Sequence, residues 1–455
     1  MRKVRHTKCV SQMYYNPLFL QTPSVQEAVF YQTDLGKLFK SIPFKKLASG
    51  IASPASEQSG RGRKPFLKVE GGIALLILKH YLGLSDELLI ERLNTDWCMQ
   101  YFCGVQLGIR KIRDKNLVSW WRVYLGKHLK IAELQSVFIE EWKPFMQQRH
   151  VTLMDATVFE SSVRYPTDVK LLWEGIAKLH LLLQQKRKQL RMRPSRSNYD
   201  KHKKLFLYFQ KNRKKSRRKE KKLRKQLLRY LMRIRQSLEK LEQNYQYKYS
   251  GKERKLLTTL QTVYEQQHAL VYGDTKSVSG RIVSICKPYV RPMVRGKEIK
   301  PVEFGAKIHK VQVDGISFIE HLSYESFNEG SRLKQGIAFH QKHFGKLSQL
   351  GADGIYATNE NRRYCTKMNI ATSFIAKGKE GKLAEQKNTM RSVLSTVRAT
   401  VLEGSFGNEK NHYLLNKVRA RTQSTEIVWI FFGMLTANAS IISKRISQQQ
   451  KRQRA

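Results

Sequence analysis

The stretch VTLMDATVFESSVRYPTD, Val151–Asp168, decides how this sequence is read. Val151 to Met154 are apolar or β-forming, they run directly into Asp155, and Ala156, Thr157 and the apolar pair Val158-Phe159 follow. That pattern predicts a buried strand with a carboxylate on it. A buried carboxylate is costly without a metal, a cationic partner or a set of hydrogen bonds. The remainder of the chain has to supply one of these.

At 455 residues the chain has room for two or three domains and a sizeable core. Its 41% hydrophobic content excludes wholesale disorder. Lys and Arg total 85 against 36 Asp and Glu, for a net charge of +49. Such a field favours polyanions, nucleic acid first and an anionic membrane surface second. Five cysteines (Cys9, Cys98, Cys103, Cys286, Cys365) stand without CxxC spacing, which argues for reduced thiols in the cytoplasm and against zinc or a disulfide framework. The N-terminus has no apolar run long enough for a signal peptide. The longest apolar run, Ile427 to Ile442, has 16 residues and is broken by Thr436 and Asn438. A membrane span needs about 20, so a buried core helix is expected and no membrane partner.

Residues 1–150 read as a helical, DNA-binding domain. FLKVEGGIALLILKHYLGLSDELLIERLNTD (Phe66–Asp96) predicts two helices broken at Gly83, the second opened by Ser85 with Asp86 and Glu87 in its first turn. This fits a helix-turn-helix or an all-α packing module equally. SGRGRKP (Ser59–Pro65) is a basic loop suited to phosphate contacts or a solvated linker.

Residues 172–272 change character. Between Ile176 and Lys240 stand 25 Lys or Arg and only three acids, Asp200, Glu220 and Glu239. Leu227, Leu231, Ile234, Leu238, Leu241 and Tyr245 recur at alternating steps of four and three, a short coiled-coil-like seam. The segment predicts a helical hairpin or bundle with cationic outer faces; the seam serves either inside it or between two copies of the chain.

Residues 151–171 and 273–443 read as one mixed α/β domain interrupted after its first strand, and 444–455 as a basic tail. Two strands flank the hairpin dipeptide Asp314-Gly315. A helix follows over Ser331–Gly345, then a strand ending SQLGAD, a helix opened by Thr358, a strand ATSFIA, and helices from about 383.

The acids sort by place. Asp353 closes a predicted strand before a helix, where open α/β sheets put their sites. Glu403 follows apolar Val401 and Leu402 in a stretch otherwise rich in Arg, Lys and His. Asp314 belongs to its turn, Asp168 reads as a helix N-cap, and Glu303 and Glu320 lie on strands where they can face solvent. Three carboxylates from two strand ends and a helix can hold two divalent ions about 3.5–4 Å apart. Hard oxygen ligands select Mg²⁺ or Mn²⁺. With the cationic field, this chemistry points to phosphodiester cleavage and transfer.

The sequence resembles bacterial insertion-sequence transposases of the DDE type, whose catalytic domain has the RNase H-like fold. GRKPFLKVEGGIALLILKHYLGLSDELLIERLNTDWCMQYFCG resembles their N-terminal helical domain, and MDATVFESSVRYPTD their first-aspartate motif. RPMVRGKEIKPVEFGAKIHKVQVDGISFIEHLSYESFNEGSRL resembles the strands after the insert. GADGIYATNENRRYC and EGSFGNEKNHYLLNKVRARTQSTE resemble the second-aspartate and glutamate motifs. The resemblance implies an RNase H-like mixed sheet with flanking helices, interrupted by the basic insert. It implies Asp155, Asp353 and Glu403 as the triad holding two Mg²⁺ or Mn²⁺ ions, and Lys410 as a DNA contact. Related enzymes carry a Tyr and an Arg seven and four residues before the glutamate; here those positions are Thr396 and Ala399, with Arg398 one step away. Gly354 stands where a basic residue is common. Arg398 and the insert residues Lys211, Arg213, Lys214, Lys215, Arg217 and Arg218 are the further DNA-binding candidates. The expected partner is double-stranded DNA, the element's terminal inverted repeats and its target, engaged by a homodimer in the bacterial cytoplasm at the nucleoid. The rival readings are a catalytically inactive, architectural DNA-binding derivative and a metal-dependent nuclease of the same fold.

Overall fold

A computed structural model describes residues 23–52, 66–195, 197–273, 275–294, 301–377 and 384–454; the basic loop 59–65 lies outside them. The chain divides into two compact units. The first takes residues up to Ser161 with Ala306–Ser323 and Phe327 onward; the second takes Ser162–Gly305 and Tyr324–Ser326. The second unit is thus wider than the 172–272 insert. The first joins the N-terminal helices to the sheet in one body.

Eight helices open the first unit: α1 (Pro23–Gln32), α2 (Asp34–Lys40), α3 (Phe44–Ser49), α4 (Val69–Leu82), α5 (Asp86–Leu93), α6 (Trp97–Phe102), α7 (Leu117–His128) and α8 (Ile131–Trp142). Nearly every residue of α4 is buried, as its lack of a polar face requires. It ends at Gly83, whose φ of +65° suits a residue without Cβ. Ser85 then caps α5 by accepting the Leu88 N–H. Asp86 is taken up by Lys79 at 2.7 Å and Arg122 at 3.2 Å. The outer positions of α5 carry Glu87, Leu88, Glu91 and Arg92, two acids to one base. That face offers little positive charge to a phosphate, which favours the packing module of the two readings for this pair of helices.

The quoted stretch forms β1 (Val151–Ser161), longer than the four apolar residues alone predict. The second unit follows: α9 (Asp168–Gln189), α10 (Tyr199–Lys211), α11 (Arg217–Tyr245), α12 (Gly251–Tyr272) and the short β2 (Pro292–Val294). The seam residues Leu227, Leu231, Ile234, Leu238 and Leu241 are buried in a core shared with α9 and α12, including Leu172, Ile176, Leu179 and Val263. The seam is consumed inside the bundle, and its last member Tyr245 is 49% exposed. It is therefore not a surface for a second copy. Asp168 is not the N-cap of α9: Thr167 is, accepting the Lys170 N–H. Asp168 instead receives Arg281 at 2.6 Å, Gln267 at 2.8 Å and Arg224 at 3.1 Å.

β3 (Val302–Val313) begins in the second unit, where Val302–Phe304 pair antiparallel with β2. In the first unit come β4 (Ile316–Ser323), α13 (Leu333–Phe344), β5 (Gln349–Ala352), α14 (Asn359–Lys367), β6 (Ala371–Thr372), α15 (Ala384–Val397), α16 (Glu403–His412), β7 (Lys417–Val418) and α17 (Gln423–Arg454). The sheet order is β4-β3-β1-β5-β6, with β1, β5 and β6 parallel and β3 and β4 antiparallel. Asp314 and Gly315 both have positive φ, as a tight hairpin between β3 and β4 demands. Glu303 and Glu320 do not face solvent: Glu303 is buried, and the Glu320 side chain, only 6% exposed, binds His309 and Arg332. The pair β7 with the end of β1 was not foreseen.

Among the described residues β4 pairs only with β3, so its outer backbone groups need other partners. Two side-chain amides provide them. Gln135 of α8 accepts the Ile319 N–H and donates to its carbonyl, and Asn438 of α17 does the same for Ser317. Asn438, which interrupts the apolar run in sequence, here closes a sheet edge. Helix α17 is long and apolar enough to cross a membrane by length and composition, and 83% of its most apolar window is buried inside the chain. Residues 444–454 continue this helix rather than forming a separate tail.

Candidate active site

Residues of a strand alternate between the faces of its sheet, and β1 divides its side chains accordingly. On one face Thr152 bonds His340 of α13 at 2.6 Å, and Met154 fills the space left by Gly336. The opposite face carries Leu153, Asp155, Thr157 and Phe159. A Cβ at Gly351 of β5 would press against Leu153 and the Leu394 backbone, so the glycine lets α15 lie close on this face. Register then brings the two expected aspartates side by side. Met154 pairs with Ala352 across the parallel β1–β5 ladder, and Asp155 and Asp353 are the next residue on each strand. Asp353 ends its strand by accepting the Gly354 N–H at 2.6 Å.

Glu403 reaches the same place by an irregularity. Between α15 and α16 the backbone winds as a π-helix over Arg398–Leu402. In an α-helix, residues five apart point roughly 140° away from one another, whereas the π-turn brings i and i+5 into line. Arg398 and Glu403 are five apart. The Arg398 Nη1 lies 3.0 Å from a Glu403 carboxylate oxygen and 3.0 Å from Asp155 Oδ2. Asp155 is therefore paired with a cation. Arg398 sits between two acids of the expected triad rather than being given over to DNA alone.

The other cations nearby are also held. Lys410, two turns beyond Glu403, donates to Thr157 Oγ1 at 3.2 Å. Lys310 of β3 is fully buried, donating to Glu409 at 2.7 Å and to Ser405 at 2.9 Å, both on α16. Burial pushes the Lys310 ammonium down and the Glu409 carboxyl up, and their mutual attraction opposes both shifts. Glu329, just before α13, is buried and pairs with Lys307 at 2.9 Å.

Burial raises the Asp155 carboxyl to about 6; the charges of Glu329 and Asp353 add to this, while the Ala156 N–H and Arg398 oppose it. Burial also lifts the Tyr356 hydroxyl well above its usual range, followed by the charges of Glu329, Asp155 and Asp353. The carboxylates thus share one electrostatic neighbourhood. Among the described residues, however, no three of His, Cys, Asp and Glu come close enough together to hold a metal ion.

Comparison with known families bears on the helices that precede β1. Residues 24–123 match the family model described as Transposase domain (DUF772). The chain carries a transposase domain. That domain spans α1–α6 and most of α7 and supports a transposase function, that of a DNA-processing enzyme. No match was found to a curated protein or to a solved structure.

Sequence reasoning about this chain named Asp155, Asp353, Glu403, Lys410 and Arg398 and missed Lys310, Glu409 and Glu329. A lysine inside the strand IHKVQV was the available signal, because a buried lysine requires an acid. Lys211, Arg213, Lys214, Lys215, Arg217 and Arg218 lie in the other unit, all exposed at the α10–α11 turn.

Proposed function

We propose that this protein is a DDE-type DNA transposase that cuts and joins DNA at the ends of an insertion sequence. The observation that carries the reading is the Met154–Ala352 register, which sets Asp155, within β1, beside Asp353 at the end of β5, with Arg398 tying Asp155 to Glu403. The strand order β4-β3-β1-β5-β6, with its antiparallel hairpin and parallel continuation, supports an RNase H-like domain. The one-residue offset of Arg398 from the arginine of similar transposases is matched by the π-turn, which adds about one residue to the helical turn.

The donor set fits a hard divalent ion: all three groups are carboxylates, and two of them already share one cationic nitrogen. Asp155, Asp353 and Glu403 would hold two Mg²⁺ or Mn²⁺ ions. When bound, such a pair activates a water or a 3′-hydroxyl and stabilises the leaving oxygen. In hydrolysis the attacking oxygen bonds to phosphorus as the P–O3′ bond breaks, leaving a 3′-hydroxyl and a 5′-phosphate. In joining, the oxygen of that 3′-hydroxyl bonds to a target phosphorus as the target's own P–O3′ bond breaks, freeing a 3′-hydroxyl on the target strand. Lys410 is placed near Thr157 on the same face of β1 to meet a phosphate, and the α10–α11 turn offers six exposed cations to backbone DNA.

A second reading, an architectural protein without catalysis, is favoured by one observation: a guanidinium rather than a closed acid cluster lies between Asp155 and Glu403. A cleavage assay separates the two. DNA carrying the gene's flanking sequence is incubated with Mg²⁺ or Mn²⁺ and wild type, Asp155→Asn, Asp353→Asn or Glu403→Gln, all matched for DNA binding. Boundary cleavage lost by at least about a thousandfold in each variant supports the transposase. Binding without cleavage by wild type supports the architectural protein, and cleavage surviving Asp353→Asn removes that residue from the triad.

A further inference from the structure

We infer that Arg398 is a positioning residue that holds the metal-binding acids in register before metal arrives and gives way to metal when it binds. The inference rests on the DDE reading. Its basis is geometric: one guanidinium nitrogen stands 3.0 Å from Asp155 Oδ2 and 3.0 Å from Glu403 Oε1. Those two oxygens are thus no more than about 6 Å apart. Two oxygens on one Mg²⁺, each bound at 2.0–2.1 Å, stand no more than roughly 4 Å apart. The arginine consequently keeps the two oxygens within about 6 Å, near enough for one ion to gather both once the guanidinium has left the gap.

Two cations cannot occupy the same gap. With Arg398 in place the acids are neutralised and kept from springing apart; with metal in place the guanidinium must leave. The π-turn lets this happen locally. Arg398 opens that turn and Glu403 follows it, so one segment carries both the acid and its temporary partner. Released, the guanidinium keeps its charge and has a phosphate as its natural next partner, since arginine pairs with phosphate as readily as with carboxylate. Metal binding and the display of a DNA-contacting arginine become one event. Apparent metal affinity is lowered by the fraction of molecules in which the gap is filled.

The test is Mn²⁺ binding to the full-length protein, measured without DNA by calorimetry or by loss of the free-Mn²⁺ resonance signal. Wild type is compared with Arg398→Gln, with Arg391→Gln as a control for net charge on the same helical segment, and with Asp155→Asn and Glu403→Gln. Arg398→Gln is expected to bind Mn²⁺ about tenfold more tightly, with a lower melting temperature in the absence of metal. Arg391→Gln should match wild type. Unchanged or weaker binding by Arg398→Gln, with binding still lost in Asp155→Asn, overturns the inference and leaves the DDE reading standing. Binding indifferent to Asp155→Asn and Glu403→Gln overturns both. Should Arg398→Gln not fold, wild type alone suffices. Labelling of Arg398 by phenylglyoxal, resolved by peptide mass spectrometry, should rise severalfold with Mn²⁺, and a flat or falling signal sinks the idea.

Discussion

At the α10–α11 turn of the helical bundle, Lys211 through Arg218 place six cations in solvent. Around β1, three cations are each held: Lys310 by Glu409 and Ser405, Lys410 by Thr157, and Arg398 by Asp155 and Glu403. The bundle supplies most of its charge as a field, and the sheet supplies its charge as geometry. An exposed cation acts at a distance, is screened by salt and tolerates replacement by its like. A buried one acts only through its partner, and its loss leaves that partner unpaired in a poor solvent.

This contrast is open to direct attack. The largest effect should come from Lys310→Met, which strands Glu409 in the core and should cost about 3–5 kcal/mol in urea unfolding. Adding Glu409→Leu should restore most of that loss, whereas Lys214→Gln should stay within about 0.5 kcal/mol. Equal effects of Lys310→Met and Lys214→Gln would erase the distinction.

Next in size, replacing the six bundle cations together by Gln should weaken DNA binding by roughly a hundredfold and flatten the log affinity–log salt slope by up to about 5. Filter binding across a salt series reads both. A weaker complex with an unchanged slope would mean that these residues do not meet phosphates.

A smaller effect concerns pH. The Asp155 carboxyl titrates near 6 in the folded protein, above its ordinary value of 3.8. Folding therefore favours its protonated form: that contribution is whole below about pH 4 and is lost as pH rises through 6. Asp155→Asn stays neutral, so between pH 4 and 8 it should gain on wild type by on the order of 2–3 kcal/mol. Parallel stability–pH curves for the two would show that burial does not strain this acid. A further contrast lies within the bundle. Leu231→Ala should cost about 2–5 kcal/mol and Tyr245→Ala less than about 0.5, as befits a seam that ends at Leu241.

The sequence made the regular parts legible. Alternation in Val151–Phe159, the Asp314-Gly315 turn, the Ser85 and Thr358 caps and the Leu227–Leu241 seam each have local causes, and each appears where those causes place it. The irregular parts were not legible. A π-turn leaves no periodic trace, so Arg398 and Glu403 look misaligned when counted on an α-helix. Lys310 and Glu409 are 99 residues apart and meet only because β3 and α16 do. Asp168 reads as a cap because its neighbours are cap-like, yet the arginines that claim it come from Arg224 and Arg281, far along the chain. Partnership across such separations is a property of topology, which single-residue chemistry does not encode.

The long last helix gives the chain a schedule. Ser41 donates to the Ala439 carbonyl at 3.2 Å, His80 bonds the Tyr413 carbonyl at 2.9 Å, and Arg122 lies over the Trp429 ring. The α4 and α7 helices of the transposase domain pack on α17, which is synthesised long after them. At about 5–20 residues per second, the first helices wait some tens of seconds for their covering. The α4 and α7 helices are therefore covered only after α17 has been made, and a product truncated before α17 is left without the surface that they pack on.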